Sequence, residues 1–327
     1  MTIIPIYDSS ITSRGNAAAI EAAFGAVAGE FDKAFARNVT VKIGVSWGKV
    51  DGALLGSGNI GASRMPLLGG FTYADVTDMF RADALANRAD ANMASLAAHL
   101  PRASPAGSRR YDIPYAEAQA VGYLPATIAS DSGYVGFSSS AAWDYNPGNG
   151  IAGGSYDFEG VAAHEISEVL GRITGLYTSS PTYATPIDAL RYSAAGVSSF
   201  SYSQPAYFSI NGGQTNLGTF NVSGGGDRTD WHVITGDAQS AYLSTGVSYA
   251  LSTADKTLLD ILGWGVAAPS VRIGSFVPTG GMNGSGAGMA VPEPATWVLL
   301  LTGIGLVGGA VRPRSLARSP SGRGARG

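Results

Sequence analysis

His164 and Glu168 stand four residues apart with Glu165 between them, inside the stretch 157–172. On a helix, side chains at that spacing share one face. An imidazole and a carboxylate placed so can hold one divalent cation, and Glu165 is then placed to act as general base for attack by water. The spacing is that of the H-E-x-x-H metal-binding pattern with Glu168 at the second His position. A third ligand must come from downstream, where Asp188, His232, Asp227 and Asp230 are the options. His232 or Tyr192 is alternatively placed to stabilise a developing oxyanion without touching the ion. The chain has no Cys and three His (His99, His164 and His232), so a transition metal has to use imidazole and carboxylate. Each carboxylate that replaces an imidazole lowers the Lewis acidity of a Zn2+ site and shifts its preference toward harder ions such as Mn2+ or Ca2+.

The elements that must position these groups are legible in outline. Asp157 suits an N-cap, Val161, Ala162, Ile166, Val169 and Leu170 recur at helical spacing, and Gly171 suits a helix end, so a helix is predicted after Asp157; the competing reading is an ordinary amphipathic helix with His164, Glu165 and Glu168 as surface or capping residues. Residues 16–36 are Ala-rich, with Ile20, Phe24, Val27 and Phe31 at helical spacing. Val39, Val41, Ile43, Val45 and Trp47 alternate as one face of a strand. Residues 73–100 read as helical with polar interruptions, and His99 at their end reads as a C-terminal capping residue. A loop over 103–110, a short helix over 116–123 and a short strand over 134–138 complete the approach to the His164 helix. This is a mixed α/β (α+β) pattern.

Composition narrows the function classes. Charged residues make up only 14% of the chain and Gly is abundant at 46, so much of the surface is uncharged and rich in loops, as suits a secreted protein. The formal charge is −3, and five of the 21 basic residues fall in 312–327, leaving the body distinctly acidic. That argues against nucleic acid or an anionic membrane surface as partner. There is no phosphate-binding Gly loop, nucleophile elbow or nucleotide fingerprint.

The C-terminal end has three unlike parts in order. Pro292, Glu293 and Pro294 precede an apolar run over 295–311, and Arg312, Arg314 and Arg318 follow. The run is long enough for a single membrane-spanning helix at the short end of the range, with the Arg cluster on the cytoplasmic side. This end resembles the PEP-CTERM sorting signal of Gram-negative bacteria. The resemblance implies recognition by an exosortase, membrane association through the C-terminal helix before processing, and delivery to the cell surface or extracellular matrix. The first residues lack a basic n-region and a long apolar h-region, so the expected export signal is placed upstream of Met1.

The body resembles a zincin-type metalloprotease family found among PEP-CTERM-sorted proteins. The resemblance is carried by Tyr7 and Asp8, by the 157–172 stretch, by the block 186–193 with Asp188, Arg191 and Tyr192, and by the blocks 207–213, 226–231 and 251–264. It implies a zincin-like metalloprotease fold over 1–265, with a mixed sheet and an active-site helix, and the 134–138 strand at the upper rim of the cleft. A Gly/Pro/Ser-rich linker follows over 266–290, then the sorting signal over 291–318 and a basic tail over 319–327. The implied activity is that of a metal-dependent endopeptidase, a hydrolase acting on protein or peptide. Glu165 is the catalytic residue, and Zn2+ is bound by His164, Glu168 and a third ligand. Asp188 is the first choice for that ligand because it matches a family position, and His232 is the alternative. The chain departs from the family in Glu168 and in Thr174, which stands where the long motif has a third His. A catalytically inactive surface or matrix protein on the same scaffold is therefore the competing reading. A carbohydrate-binding module, suggested by the Tyr- and Gly-rich stretch 183–226, is a third.

Overall fold

β1 (Thr2–Tyr7) opens the chain, and it is an element that the sequence reading leaves unassigned. α1 (Ser9–Thr12) and α2 (Ala17–Ala34) lead to β2 (Thr40–Trp47), which pairs with β1 in parallel. Parallel neighbours need a crossover, and α2 supplies it, burying Ile20, Phe24, Val27 and Phe31. The computed structural model describes residues 1–224, 226–232, 234–266 and the backbone of Met289–Ala290. The described residues fall in one compact unit.

A tight hairpin follows, β3 (Lys49–Val50) and β4 (Ala53–Leu54), turned by Asp51 and Gly52, both at positive φ. An Asp-Gly pair is the residue choice such a turn requires. Next come β5 (Gly61–Arg64), β6 (Leu67–Phe71), α3 (Tyr73–Ala86), α4 (Ala91–His99), β7 (Tyr111–Pro114) and α5 (Tyr115–Ala120). The single helix expected over 73–100 is thus two. Asp90 restarts the second by accepting from the amides of Asn92 and Met93.

β8 (Gly133–Phe137) completes the main sheet, whose order is β1-β2-β8-β5. β2 and β8 are parallel, whereas β5 is antiparallel and forms one edge. This corrects the expectation that placed the 134–138 strand at a rim. β8 is internal, and β1 and β5 are the two edge strands. The fold is mixed α/β.

β9 (Trp143–Asp144) and β10 (Tyr156–Asp157) lead into α6 (Phe158–Val169), which packs on β5, β8 and α2. Two glycines allow the close approach. A Cβ at Gly61 would lie 2.8 Å from Val161 Cγ1, and one at Gly133 would lie 2.6 Å from Val169 Cγ1. Asp157 occupies the N-cap position, and its Oδ2 accepts from the Tyr249 amide at 2.8 Å. Gly171 ends the helix at φ 123, as expected of a C-terminal glycine. α6 is not amphipathic in place, however. Its polar residues His164, Glu165 and Glu168 are as buried as its apolar ones, because the chain beyond it folds over that face.

That later chain forms a second antiparallel sheet from β11 (Arg191–Ala194), β12 (Val197–Ser198), β13 (Tyr207–Phe208) and β14 (Gly218–Thr219), in the order β12-β11-β13-β14. β15 (Tyr242–Leu243) and α7 (Thr253–Leu259) follow, and β15 pairs with β16 (Met289–Ala290). Trp264, fully buried, donates its indole N–H to the Leu170 carbonyl at 2.7 Å and ties the end of this region to the end of α6.

Glu117 on α5 is fully buried beside Gly171, and neither of its oxygens has a hydrogen-bond partner among the described residues. Burial raises its carboxyl well above the ordinary value. A raised folded-state pKa contributes stability that is complete below the unfolded pKa and is lost as pH rises toward the folded one, at about 1.4 kcal/mol per pH unit. Glu117→Gln has no proton to lose. Its melting temperature is expected to gain progressively on that of the wild type between pH 5 and pH 9, as read from thermal unfolding across that range. Parallel melting curves would refute the assignment.

Candidate metal centre

α6 sets His164 and Glu168 one turn apart on the face covered by the 226–239 segment. His164 Nδ1 lies 2.8 Å from the Ala238 carbonyl oxygen. A carbonyl only accepts, so Nδ1 carries a proton and Nε2 is the free ligand nitrogen of the neutral ring. Nε2 faces Glu168 Oε1 at 3.4 Å and Asp230 Oδ1 at 3.6 Å. Neither His164 Nε2 nor Asp230 Oδ1 has a hydrogen-bond partner among the described residues.

The other oxygens of these carboxylates are held in place. Glu168 Oε2 accepts from Ser63 Oγ at 2.7 Å, which ties it to the edge strand β5. Asp230 Oδ2 accepts from the Asp227 amide at 3.1 Å. Asp227, whose carboxylate accepts from the amides of Arg228 and Thr229, joins Glu168 and Asp230 in a second convergent group. Glu165 completes the set on α6, converging with His164 and Glu168; neither of its carboxylate oxygens has a hydrogen-bond partner among the described residues, and Oε1 is only 2.3 Å from where a Cβ on Gly61 would stand. Exposure of His164, Glu165, Glu168 and Asp230 is between 0% and 2%, and that of Asp227 is 6%.

Burying so many like charges is costly unless something compensates. Without a cation, protons must do it. Burial, and then the Glu168 charge, raises Glu165 well above the ordinary carboxylate value. Burial likewise raises Asp230 far, and Asp227 to about 6. For His164, burial opposes the charged form, but Asp230, Glu168 and Glu165 outweigh it and raise the ring well above its usual value. A divalent ion among these groups would replace the protons. Ligands about 2.1 Å from a tetrahedral centre lie ~3.4 Å from one another, close to the two distances measured from Nε2; His164, Glu165 and Glu168 form one group of convergent donor atoms, and Glu168, Asp227 and Asp230 form another that shares Glu168. One imidazole nitrogen with carboxylate oxygens suits Zn2+, and also the harder Mn2+ and Ca2+.

The structure does not bring the first-choice third ligand to this group. Asp188 sits in the turn Pro186–Leu190, fully buried. Its carboxylate accepts from Thr174 Oγ1 at 2.5 Å and from the amides of Gly175 and Thr185 at 2.8 and 2.9 Å. Its lone pairs are used in closing that turn, and Thr174, which stands at the third-His position, is one of its donors. His232 is exposed, with its amide bonded to the Thr219 carbonyl, and it is not among the convergent groups. His99 is the last residue of α4, and its Nδ1 lies 2.7 Å from the Ser95 carbonyl, as a capping role requires. Tyr192 packs against Gly213 on β11. The acid that does meet His164 is Asp230. Ser63 and the Ala238 carbonyl carry no sequence signal.

A family model of the PEP-CTERM protein-sorting motif matches residues 290–315. The chain carries an exosortase sorting signal. That signal indicates export and sorting to the cell envelope or surface, with an exosortase as the recognising partner. No curated protein and no solved structure matches the chain. Pro292, Glu293 and Pro294, the proposed span 295–311 and the tail 319–327 lie outside the described residues, as does the linker 266–290 apart from Val266, Met289 and Ala290. Among the described residues, no helix is long and apolar enough to cross a membrane.

Proposed function

We propose that this surface-sorted protein is a metal-dependent hydrolase, an endopeptidase, with its divalent ion held by His164, Glu168 and Asp230. The observation that carries the reading is the approach of His164 Nε2 to Glu168 Oε1 at 3.4 Å and to Asp230 Oδ1 at 3.6 Å, where two groups of convergent donors share Glu168 and where neither Nε2 nor Asp230 Oδ1 has a hydrogen-bond partner among the described residues. When bound, the ion supplies Lewis-acid polarisation of the scissile carbonyl. Glu165 takes a proton from the attacking water at a carboxylate oxygen and returns it to the leaving amine. The Ala238 carbonyl fixes the His164 ring, and Ser63 orients Glu168. Peptide as the substrate class comes from the sequence resemblance of the 157–172 helix and the blocks around it.

The burial of all four groups favours a second reading, a catalytically silent surface or matrix protein in which the ion is a brace. Closed coordination is the mark of structural sites. Elemental analysis of the purified full chain and of His164→Ala tests both. A stoichiometric ion in the wild type that is lost from a folded variant is the expected result. No ion in either protein, with both folded, would remove the metal centre and both readings with it. Casein cleavage by the ion-loaded chain then separates hydrolase from brace.

A further inference from the structure

We propose that Arg172 is the positioning residue of this centre, the side chain that locks the Asp230 loop to the helix bearing His164 and Glu168. The proposal rests on the metal-binding reading above. Arg172 is fully buried, one residue beyond Gly171, where the chain turns away from α6. Its Nη2 donates to the Thr229 carbonyl at 3.0 Å, and its guanidinium lies 4.1 Å from the centre of the Trp231 ring. Thr229 and Trp231 are the two neighbours of Asp230, so one planar group grips the ligand from both sides. Nη1 donates to Asp255 Oδ1 at 2.9 Å, and the Trp231 indole N–H donates to the same oxygen at 2.7 Å. Asp255 is itself anchored, because its Oδ2 accepts from the Ser252 amide and hydroxyl at the start of α7.

The consequence is geometric. His164 and Glu168 are fixed relative to each other by helix periodicity, but Asp230 arrives on a loop more than sixty residues away in sequence. A metal centre assembled from two elements loses affinity unless they are held in register before the ion arrives. The guanidinium does this with a fork and a flat face, which a lysine ammonium does not have.

The test is the affinity of the full chain for Zn2+ or Mn2+ alone, whichever the wild type binds more tightly, measured by titration for Arg172→Lys and Trp231→Phe. Arg172→Lys keeps the charge and loses the fork. It is expected to weaken binding by about tenfold to a hundredfold, the range for contacts that orient metal ligands. Trp231→Phe keeps an aromatic face, loses the N–H to Asp255, and is expected to weaken binding less. Unfolding midpoints in EDTA give the stability of each variant without the ion. A merely structural role would lower those midpoints and leave the affinity of the folded chain unchanged, and that result overturns the proposal. If Arg172→Lys does not fold, Trp231→Phe decides: weaker binding supports positioning and wild-type affinity overturns it. A wild type that binds neither ion overturns the metal-centre reading and this inference together, whereas tight wild-type binding with unaltered variants overturns this inference alone.

Discussion

Asp230→Ala is expected to yield a folded protein that no longer retains a divalent ion, whereas Asp188→Ala is expected to lower the stability of the fold by roughly 3–5 kcal/mol. The two residues are both buried acids in the downstream half of the chain, and the contrast follows from what their oxygens touch. Asp188 closes a turn. Removing its carboxylate strands the Thr174 hydroxyl and the Gly175 and Thr185 amides, all buried, and each stranded donor costs about 1–3 kcal/mol. Asp230 forfeits one hydrogen bond from the Asp227 amide, and its loss also removes a carboxyl that burial makes unfavourable in the absence of an ion. In EDTA the Asp230 variant should therefore melt close to the wild type. Added ion at a hundred times its Kd should stabilise the wild type by about 2.7 kcal/mol and leave the Asp230 variant unmoved. Urea unfolding with and without the ion measures both effects. Ion-dependent stabilisation that survives in Asp230→Ala, or that vanishes in an otherwise stable Asp188→Ala, would reverse the assignment of the third ligand.

The preference for Asp188 over Asp230 marks where sequence stops informing the site. Both acids sit in recognisable blocks, and nothing in one dimension shows that the lone pairs of Asp188 are consumed by Thr174, Gly175 and Thr185. Periodicity served well where an element has a regular apolar face. α2 and β2 lie where Ile20, Phe24, Val27 and Phe31, and Val41, Ile43, Val45 and Trp47, place them. It failed for β5, whose residues Gly61, Ala62, Ser63 and Arg64 include no β-branched or aromatic side chain. That composition is what α6 needs from the edge strand, since Gly61 leaves room for Glu165 and Ser63 offers a hydroxyl to Glu168. α6 itself was legible in position, but the burial of its polar face was not. Its polar face looks solvated until the 226–239 segment is folded over it. The sorting signal was the most legible feature because its three parts are local composition and need no tertiary partner to be recognised.

Glu165→Gln is expected to reduce hydrolysis by about 10²–10⁴-fold, the usual contribution of a positioned general base, while the ion stays bound. The amide matches the carboxylate in shape and cannot accept the proton. Because burial and the Glu168 charge disfavour the ionised form, the variant should be no less stable than the wild type. Retained ion with lost turnover separates this role from that of His164, whose replacement removes both. Gly61→Ala probes the same group from the strand side. Its new Cβ would stand 2.3 Å from Glu165 Oε1 and 2.8 Å from Val161 Cγ1, so the carboxylate must swing away or β5 must shift. Either movement displaces the base or the Ser63 hydroxyl that orients Glu168, and turnover should fall again with the ion present. Ion content and initial rates on casein, measured for the wild type and both variants, distinguish the cases. If Glu165→Gln retains wild-type turnover, proton transfer is not its task and the hydrolase mechanism on α6 is wrong. If no rate is found even in the ion-loaded wild type, the burial of Glu165 becomes the informative fact. A base that neither substrate nor water reaches belongs to a centre whose ion holds the Asp230 loop against α6 and does no chemistry.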